Sequence, residues 1–160
     1  MTVLPDWITA VSTGLLAALT VWIAFYAKKT LYGNTVSNSR PPYISTLRMS
    51  FAKLYSSLLL QDKNKIIKTI SFVKYHFNQY EGIGIDDAFI ENCLDKLLEK
   101  SIKKQEITQG EIDKYRKWSS AILQYEWQCF KDEISKGRKL TDSEKRKNKD
   151  KIIDNVLIGI

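Results

Sequence analysis

Residues 7–27 read WITAVSTGLLAALTVWIAFYA, a run of 21 residues without a charged side chain. As an α-helix, which rises about 1.5 Å per residue, this run is roughly as long as the 30 Å hydrocarbon core of a bilayer is thick. Its hydroxyl side chains can bond back to carbonyls of the same helix. We therefore predict a membrane span from Trp7 to Ala27 that includes Gly14 and Trp22.

Two other interpretations of this run are a cleavable signal peptide and a buried core helix. A signal peptide carries basic residues ahead of its apolar stretch, whereas residues 1–6 contain no Lys or Arg. A core helix of this length would normally have one polar face, and the only polar groups here are Thr and Ser hydroxyls. The sequence therefore favours a membrane anchor.

The charges that flank the run predict its orientation. Asp6 precedes it, and Lys28 and Lys29 follow it. Because cytoplasmic flanks carry the excess of Lys and Arg, we expect a single-pass protein of the inner (plasma) membrane with its N-terminus outside and its C-terminal body in the cytoplasm. The free cysteines Cys93 and Cys129 agree with a reducing compartment.

Three small residues, Ala10, Gly14 and Ala18, recur every four positions inside the run. They share one stripe of the helix, where a second helix could approach closely. Small residues are common in spans, so a lone anchor surrounded by lipid is the simpler interpretation and self-association is the alternative.

Composition shifts divide the chain into four parts. Residues 32–42, YGNTVSNSRPP, collect residues that favour turns and oppose helix continuation. We expect an anchor over residues 1–31, a juxtamembrane linker over 32–42, a helical bundle over 43–137, and a basic segment with an apolar C-terminal helix over 138–160.

Apolar residues follow helical spacing in four segments of the body. A partial alternation over residues 43–51 leaves a strand open at its start. The expected buried stripes are Leu47, Phe51, Leu54, Tyr55 and Leu58; Ile66, Ile70, Val73, Phe77 and Tyr80; Phe89, Ile90, Cys93, Leu94, Leu97, Leu98 and Ile102; and Ile112, Tyr115, Trp118, Ile122, Tyr125 and Cys129. The second and third segments, joined by a glycine-containing turn, form a predicted helical hairpin.

Local signals mark where the later helices begin and end. Thr108 to Glu111 and Thr141 to Glu144 have the form of a capping box, in which a hydroxyl and a carboxylate satisfy the first amides of a helix. Gly137 is a natural stop for the helix before it. The sequence therefore predicts an all-α fold in which one N-terminal transmembrane helix precedes a small cytoplasmic helical bundle.

Catalytic signals are weak. His76 is the chain's one histidine, the cysteines match no zinc spacing, and Gly82-Ile83-Gly84 lacks the lysine of a phosphate loop. We expect no enzyme activity, metal or cofactor. A nucleic-acid or nucleotide enzyme is retained as a third class, because Glu81, Asp86, Asp87 and Glu91 could converge in the fold.

Charge is unevenly distributed in a chain with 25 Lys and Arg against 18 Asp and Glu. The basic residues predicted to contact anionic lipid are Lys28, Lys29, Lys145, Arg146, Lys147 and Lys149. We favour lipid, or plain solvation, over nucleic acid, because the basic run lacks interleaved aromatic residues. An acidic row, Asp87, Glu91, Asp95 and Glu99, is either a docking face or a solvated helix face.

The last nine residues contain an apolar set at helical spacing: Ile152, Ile153, Val156, Leu157 and Ile160. The stretch is too short to cross a bilayer. It can pack on the bundle or lie in the membrane interface, and the bundle is favoured because a small core benefits from an extra apolar face.

The opening of the chain carries a resemblance. An uncharged span from Trp7, the pair Lys28-Lys29, and a polar stretch that ends in Arg40-Pro41-Pro42-Tyr43 resemble poorly characterised bacterial single-pass membrane proteins with small helical cytoplasmic bodies. Some of these are of the phage-defence or abortive-infection type. The resemblance implies a setting and no site residue.

These patterns together predict a non-enzymatic membrane protein. Its cytoplasmic bundle would bind another protein, or a second copy of itself, at the inner face of the membrane, with phage defence as a setting. The alternative is a membrane-disrupting effector that oligomerises through its span and its bundle.

Overall fold

The computed structural model describes the backbone of residues 6–78 and 87–154 and the side chains of residues 7–75 and 92–152. These ranges contain helices and no strand. The order is α1 (Asp6–Leu59), α2 (Lys63–Asn78), α3 (Asp87–Ile102), α4 (Gln109–Lys136) and α5 (Asp142–Lys149), with a π-helical turn at Asp150–Asp154. The predicted all-helical fold is confirmed for this part of the chain.

Helix α1 is continuous through 54 residues, so the expected turn-rich linker over residues 32–42 is wrong. Pro41 and Pro42 lie inside the helix, where each removes a backbone donor at a typical cost of about 3 kcal/mol. Burial of Val36, Tyr43 and Ile44 offsets this cost. The strand considered for residues 43–51 is also absent, because this stretch continues α1.

Helix α4 packs antiparallel along the second half of α1. Three contacts define the register: Lys29 with Gly137, Arg40 with Glu126, and Phe51 with Tyr115. Successive contacts are eleven residues apart on both helices, from 29 to 40 to 51 and from 137 to 126 to 115. Eleven residues are about three helical turns, so each helix keeps one face toward the other over its length.

Helices α2 and α3 complete the bundle, and Lys100 of α3 binds Glu111 of α4. Helix α2 packs against both α1 and α3, which confirms the predicted hairpin. The turn after α1 is fixed by Gln61, whose side-chain amide donates to the Ile107 carbonyl at 2.8 Å and accepts from the Ile107 amide at 3.2 Å. The end of α1 and the start of α4 are thereby joined.

The predicted stripes account for most of the core. Leu47, Leu54, Ile66, Ile70, Tyr115 and Ile122 are fully buried. Ile102 is wrong as a core residue, since it is 63% exposed. Ser101 is buried instead and donates to the Leu97 carbonyl at 2.7 Å, because the inward face of α3 turns toward Leu94, Leu97 and Ser101. Phe77, Tyr80, Phe89 and Ile90 lie outside the described side chains.

Both predicted capping boxes are present, at Thr108 with Glu111 and at Thr141 with Glu144. Gly137 ends α4 in the left-handed conformation, with φ +63°, as a C-cap glycine does. Helix α5 then runs back along α4. In the C-terminal stretch Ile152 packs against the core, whereas the side chains of residues 153–160 lie outside the described part.

Candidate functional site

The first half of α1 exposes its apolar side chains. Leu15, Val21 and Phe25 are 62%, 71% and 68% exposed, and none of the apolar window of α1 is buried inside the chain. By length and composition, α1 is the one helix among the described residues that could cross a membrane. Residues 7–27 are therefore a candidate span.

The small-residue stripe faces open space. Ala10, Gly14 and Ala18 are exposed, and a Cβ added to Gly14 would meet no atom within 4 Å. No helix within the described ranges covers this stripe. Association through the stripe stays a prediction.

The junction between the candidate span and the bundle is a close contact of Lys29 with Gly137. A Cβ added to Gly137 would lie 2.2 Å from Lys29 Cγ and 3.0 Å from Lys29 Cα. Gly137 also has the positive φ that L side chains disfavour, so glycine suits this position for two independent reasons. The end of α4 is thus held against α1 two residues after Ala27.

Basic side chains surround this junction. Lys28, Lys29 and Lys139 are exposed. Lys136 and Arg138 bind the Glu144 carboxylate, with N–O distances of 2.6 and 2.7 Å. Their hydrogen bonds, Arg138 first, hold the pKa of Glu144 well below its usual range. Glu144 therefore stays ionised and neutralises one of these two cations.

The predicted lipid contacts of α5 are only partly on the surface. Arg146 and Lys147 are exposed and Lys149 is half-buried, but Lys145 is buried. Lys145 is wrong as a surface cation, because α5 packs against α4 and its charge lies close enough to Glu126 to lower the pKa of that carboxyl. Whether the exposed cations bind lipid stays a prediction.

A buried ion cluster joins α1 to α4 one layer deeper in the bundle. Arg40 lies 3.7 Å from Glu126 and 3.6 Å from Glu133. Burial raises the pKa of Glu126, although Arg40 acts in the opposite direction. Glu133 also accepts the Leu140 amide at 3.3 Å.

The sequence analysis missed this cluster. The available signal was the spacing of Ile122, Glu126, Cys129 and Glu133 by four, three and four, which places both carboxylates on the buried stripe of α4.

The described half of the predicted acidic row is paired within the chain. Asp95 binds Lys74 of α2, and Glu99 binds Lys103 one turn later. The hydrogen bond from Lys103 lowers the pKa of Glu99. Asp87 and Glu91 have side chains outside the described part, so a four-carboxylate docking face stays a prediction.

The cysteines lack the features of reactive thiols. Burial raises the pKa of both Cys93 and Cys129, which keeps their sulfurs protonated. Cys93 borders a surface cavity of about 480 Å³ that Lys96 and Glu111 also line. Within the described residues no three His, Cys, Asp or Glu side chains gather into a metal-binding group. The His76 side chain, like those of Glu81 and Asp86, lies outside them.

Compared with protein-family models, with curated proteins and with solved structures, the chain matches none. The exposed apolar half of α1 and the junction that follows it are therefore the basis for assigning a function.

Proposed function

We propose that the protein is a non-enzymatic, single-pass membrane-anchored helical protein whose bundle binds another protein, or a second copy of itself, at the cytoplasmic face. The observation that carries this proposal is the absence of any cover on residues 7–27 within the described chain. An apolar surface of this size is stable where lipid or another apolar surface replaces water.

The continuity of α1 supports a presenting role. One unbroken helix runs from the candidate span into the core of the bundle, and α4 reinforces it from Lys29 onward. The body consequently cannot swing on a flexible linker. It projects along the axis of the span, and residues 28–59 reach roughly 48 Å beyond it at about 1.5 Å per residue.

The far end of the bundle supplies a surface for a partner. Leu59, Leu60 and Ile102, which we name the apolar tip, are 50%, 72% and 63% exposed. Leu59 and Leu60 directly precede Gln61, whose side chain is hydrogen-bonded to the backbone of Ile107. Ile102 is the last residue of α3 and precedes Ile107 in the following loop. Exposed apolar side chains grouped at one end of a body are typical of a protein contact.

A topology experiment tests the anchor. In a chain with Cys93 and Cys129 replaced by alanine, single cysteines at Thr2 and at Lys104 are treated with a membrane-impermeant maleimide on intact and on permeabilised cells. We expect labelling at position 2 in intact cells and at position 104 only after permeabilisation. Release of the protein from membranes by alkaline carbonate would contradict the anchor.

A second experiment tests the interaction. In-cell crosslinking, followed by light scattering of the full chain in detergent, distinguishes a partner protein from self-association. Leu60→Asp should abolish the crosslinked product, whereas Met49→Asp, which alters another exposed apolar side chain of α1, should not. Equal behaviour of the two variants would exclude the apolar tip as the contact.

A third experiment tests the setting. If expression of the protein changed the plating efficiency of phages, this change would support a role in phage defence.

The second candidate function is a membrane-disrupting effector that oligomerises through its span and bundle. The uncovered stripe around Gly14 favours it. Gly14→Leu should abolish the depolarisation caused by overexpression, and Ser12→Leu, about 200° away around the helix, should leave it unchanged. Absence of depolarisation in the unmodified protein would exclude this function.

A further inference from the structure

We infer that the turn between α4 and α5 is a binding site for anionic phospholipid headgroups, with Lys28, Lys29 and Lys139 as its cations. This inference rests on the proposed membrane anchor. It goes further in naming which cations meet the lipid and which do not.

The depth of the α4–α5 turn relative to the membrane follows from the contact of Lys29 with Gly137. Gly137 contacts Lys29, which is two residues, or about 3 Å of helix rise, beyond the end of the candidate span. The headgroup region adds about 5–7 Å to each side of the hydrocarbon core. The turn that begins at Gly137 therefore lies at the depth of the headgroups once the span is in place.

Two aromatic side chains mark the same boundary. Trp22 and Tyr26 are exposed, their ring centroids are 5.7 Å apart, and they lie within two turns before Lys28. Aromatic side chains of this kind concentrate where hydrocarbon meets headgroups. The basic side chains thus begin where the aromatic pair ends.

The charge of the turn is strongly positive. Five cations, Lys28, Lys29, Lys136, Arg138 and Lys139, face two carboxylates, Asp142 and Glu144, which leaves 5 − 2 = +3. Lys136 and Arg138 share Glu144, and the Asp142 carboxylate is 3.9 Å from Lys145. Lys28, Lys29 and Lys139 form no ion pair with any described side chain. Their charges are consequently available to phosphate groups.

Helix α5 carries the other basic residues away from this level. Lys136 contacts Glu144 and Asp132 contacts Asn148, so α5 runs antiparallel to α4 and leaves the junction as it proceeds. Arg146 and Lys147 are thereby placed one to two turns farther from the span than Lys139. Like Lys139 they are exposed, and they provide a control of equal charge.

The test uses the full chain in two steps. First, the protein is reconstituted into neutral phosphatidylcholine vesicles and floated on a density gradient. Flotation there depends on the span and not on charge. A chain that does not float would overturn both the anchor and the lipid site, whereas a chain that floats confirms the anchor before the site is examined.

Second, the affinity for spin-labelled phosphatidylglycerol relative to spin-labelled phosphatidylcholine is measured in these vesicles. We expect a preference of about five-fold or more for the anionic lipid, as expected for a few lysines near the surface. Lys29→Gln with Lys139→Gln should remove most of this preference. Arg146→Gln with Lys147→Gln should retain it.

Three results would overturn the inference. One is no preference for phosphatidylglycerol in the unmodified chain, and another is an equal loss in the two double variants. The third is displacement of the lipid by millimolar glycerol 3-phosphate, which would identify a site for a soluble phosphate instead. Unchanged circular dichroism and melting temperature of both variants ensure that a loss reflects lipid contact and not unfolding.

Discussion

The two halves of α1 belong to one helix but have opposite surroundings. Residues 7–27 carry no charge, and all of them except the half-buried Ile8 are exposed. Residues 29–59 are apolar along one face, and that face is buried against α2 and α4. The difference shows that helix continuity does not require a common environment, because the backbone satisfies its own hydrogen bonds in either setting. The effect of a substitution on stability therefore depends on what surrounds the side chain in that half of α1.

The largest effect is expected where Arg40 holds α4 against the proline-containing part of α1. Arg40→Leu removes the cation between Glu126 and Glu133 and leaves two buried carboxylates without it. We expect a loss of about 3–5 kcal/mol in the free energy of unfolding of the bundle. The measurement is chemical denaturation of the detergent-solubilised chain.

The same variant can show whether the two halves of α1 unfold separately. Pro41 and Pro42 make residues 32–42 dependent on their contacts with α4, so hydrogen exchange should accelerate there while residues 7–27 stay protected in the micelle. Arg40→Lys is the control that keeps the charge. If exchange rose equally in both halves, α1 would unfold as one unit and the comparison would fail.

A pair of leucines sharpens the comparison within one helix. Leu54 is fully buried, and Leu16 is 65% exposed. Leu54→Ala should lower the free energy of unfolding of the bundle by about 2–5 kcal/mol, whereas Leu16→Ala should change it by less than about 0.5 kcal/mol. Denaturation followed by near-ultraviolet circular dichroism measures both. Similar losses would mean that the first half is also covered by protein.

The sequence predicted each half of α1 from its own local pattern. An uncharged run predicted a membrane span, whose side chains are exposed in the structure, and a stripe at Leu47, Leu54 and Leu58 predicted burial. The two capping boxes and the Gly137 stop were also predictable, because each depends on residues within one turn of the chain. Local signals thus gave the helices and most of the core.

Long-range contacts explain what the sequence did not predict. Residues 32–42 contain turn formers, and they are helical because Val36 is buried in the core and Arg40 contacts α4, which begins almost seventy residues later. The helix propensities of the individual residues contain no information on that contact. The junction of Lys29 with Gly137 was missed for the same reason, and with it the distinction between Lys139 and Lys145.

A smaller effect is expected at the junction itself. Gly137→Ala places a Cβ against Lys29 at a residue with φ +63°, so we expect a loss of about 1–3 kcal/mol. Gly110→Ala is the matched control, because nothing lies within 4 Å of an added Cβ and the residue is in the first turn of α4. It should be neutral or stabilising by up to about 1 kcal/mol. Thermal unfolding in detergent compares the two, and equal stability would show that α4 does not approach α1 at Lys29.

The smallest effect concerns the protonation of Glu126 in the buried cluster. Burial raises its pKa above the ordinary value of 4.5, so the folded state binds a proton more tightly than the unfolded chain. The contribution of Glu126 to stability is therefore full below about pH 4.5 and declines as the pH rises through its folded pKa. Glu144 and Glu99 have lowered pKa values and act in the opposite sense, losing stability as the pH falls below about 4.5. The two pH ranges can thus be separated.

In the Glu126→Gln variant the side chain at position 126 is uncharged at every pH. We expect this variant to be as stable as the unmodified chain at pH 4.5 and more stable at pH 7.5 by up to about 1 kcal/mol. The melting temperature measured between these two pH values tests it, with Glu106→Gln, an exposed carboxylate near the far end of the bundle, as the control. A variant that was less stable at pH 7.5 would mean that the Arg40 ion pair outweighs the cost of burying the Glu126 charge. The second half of α1 would then be held to α4 by that ion pair, and not mainly by the apolar face that distinguishes it from the first half.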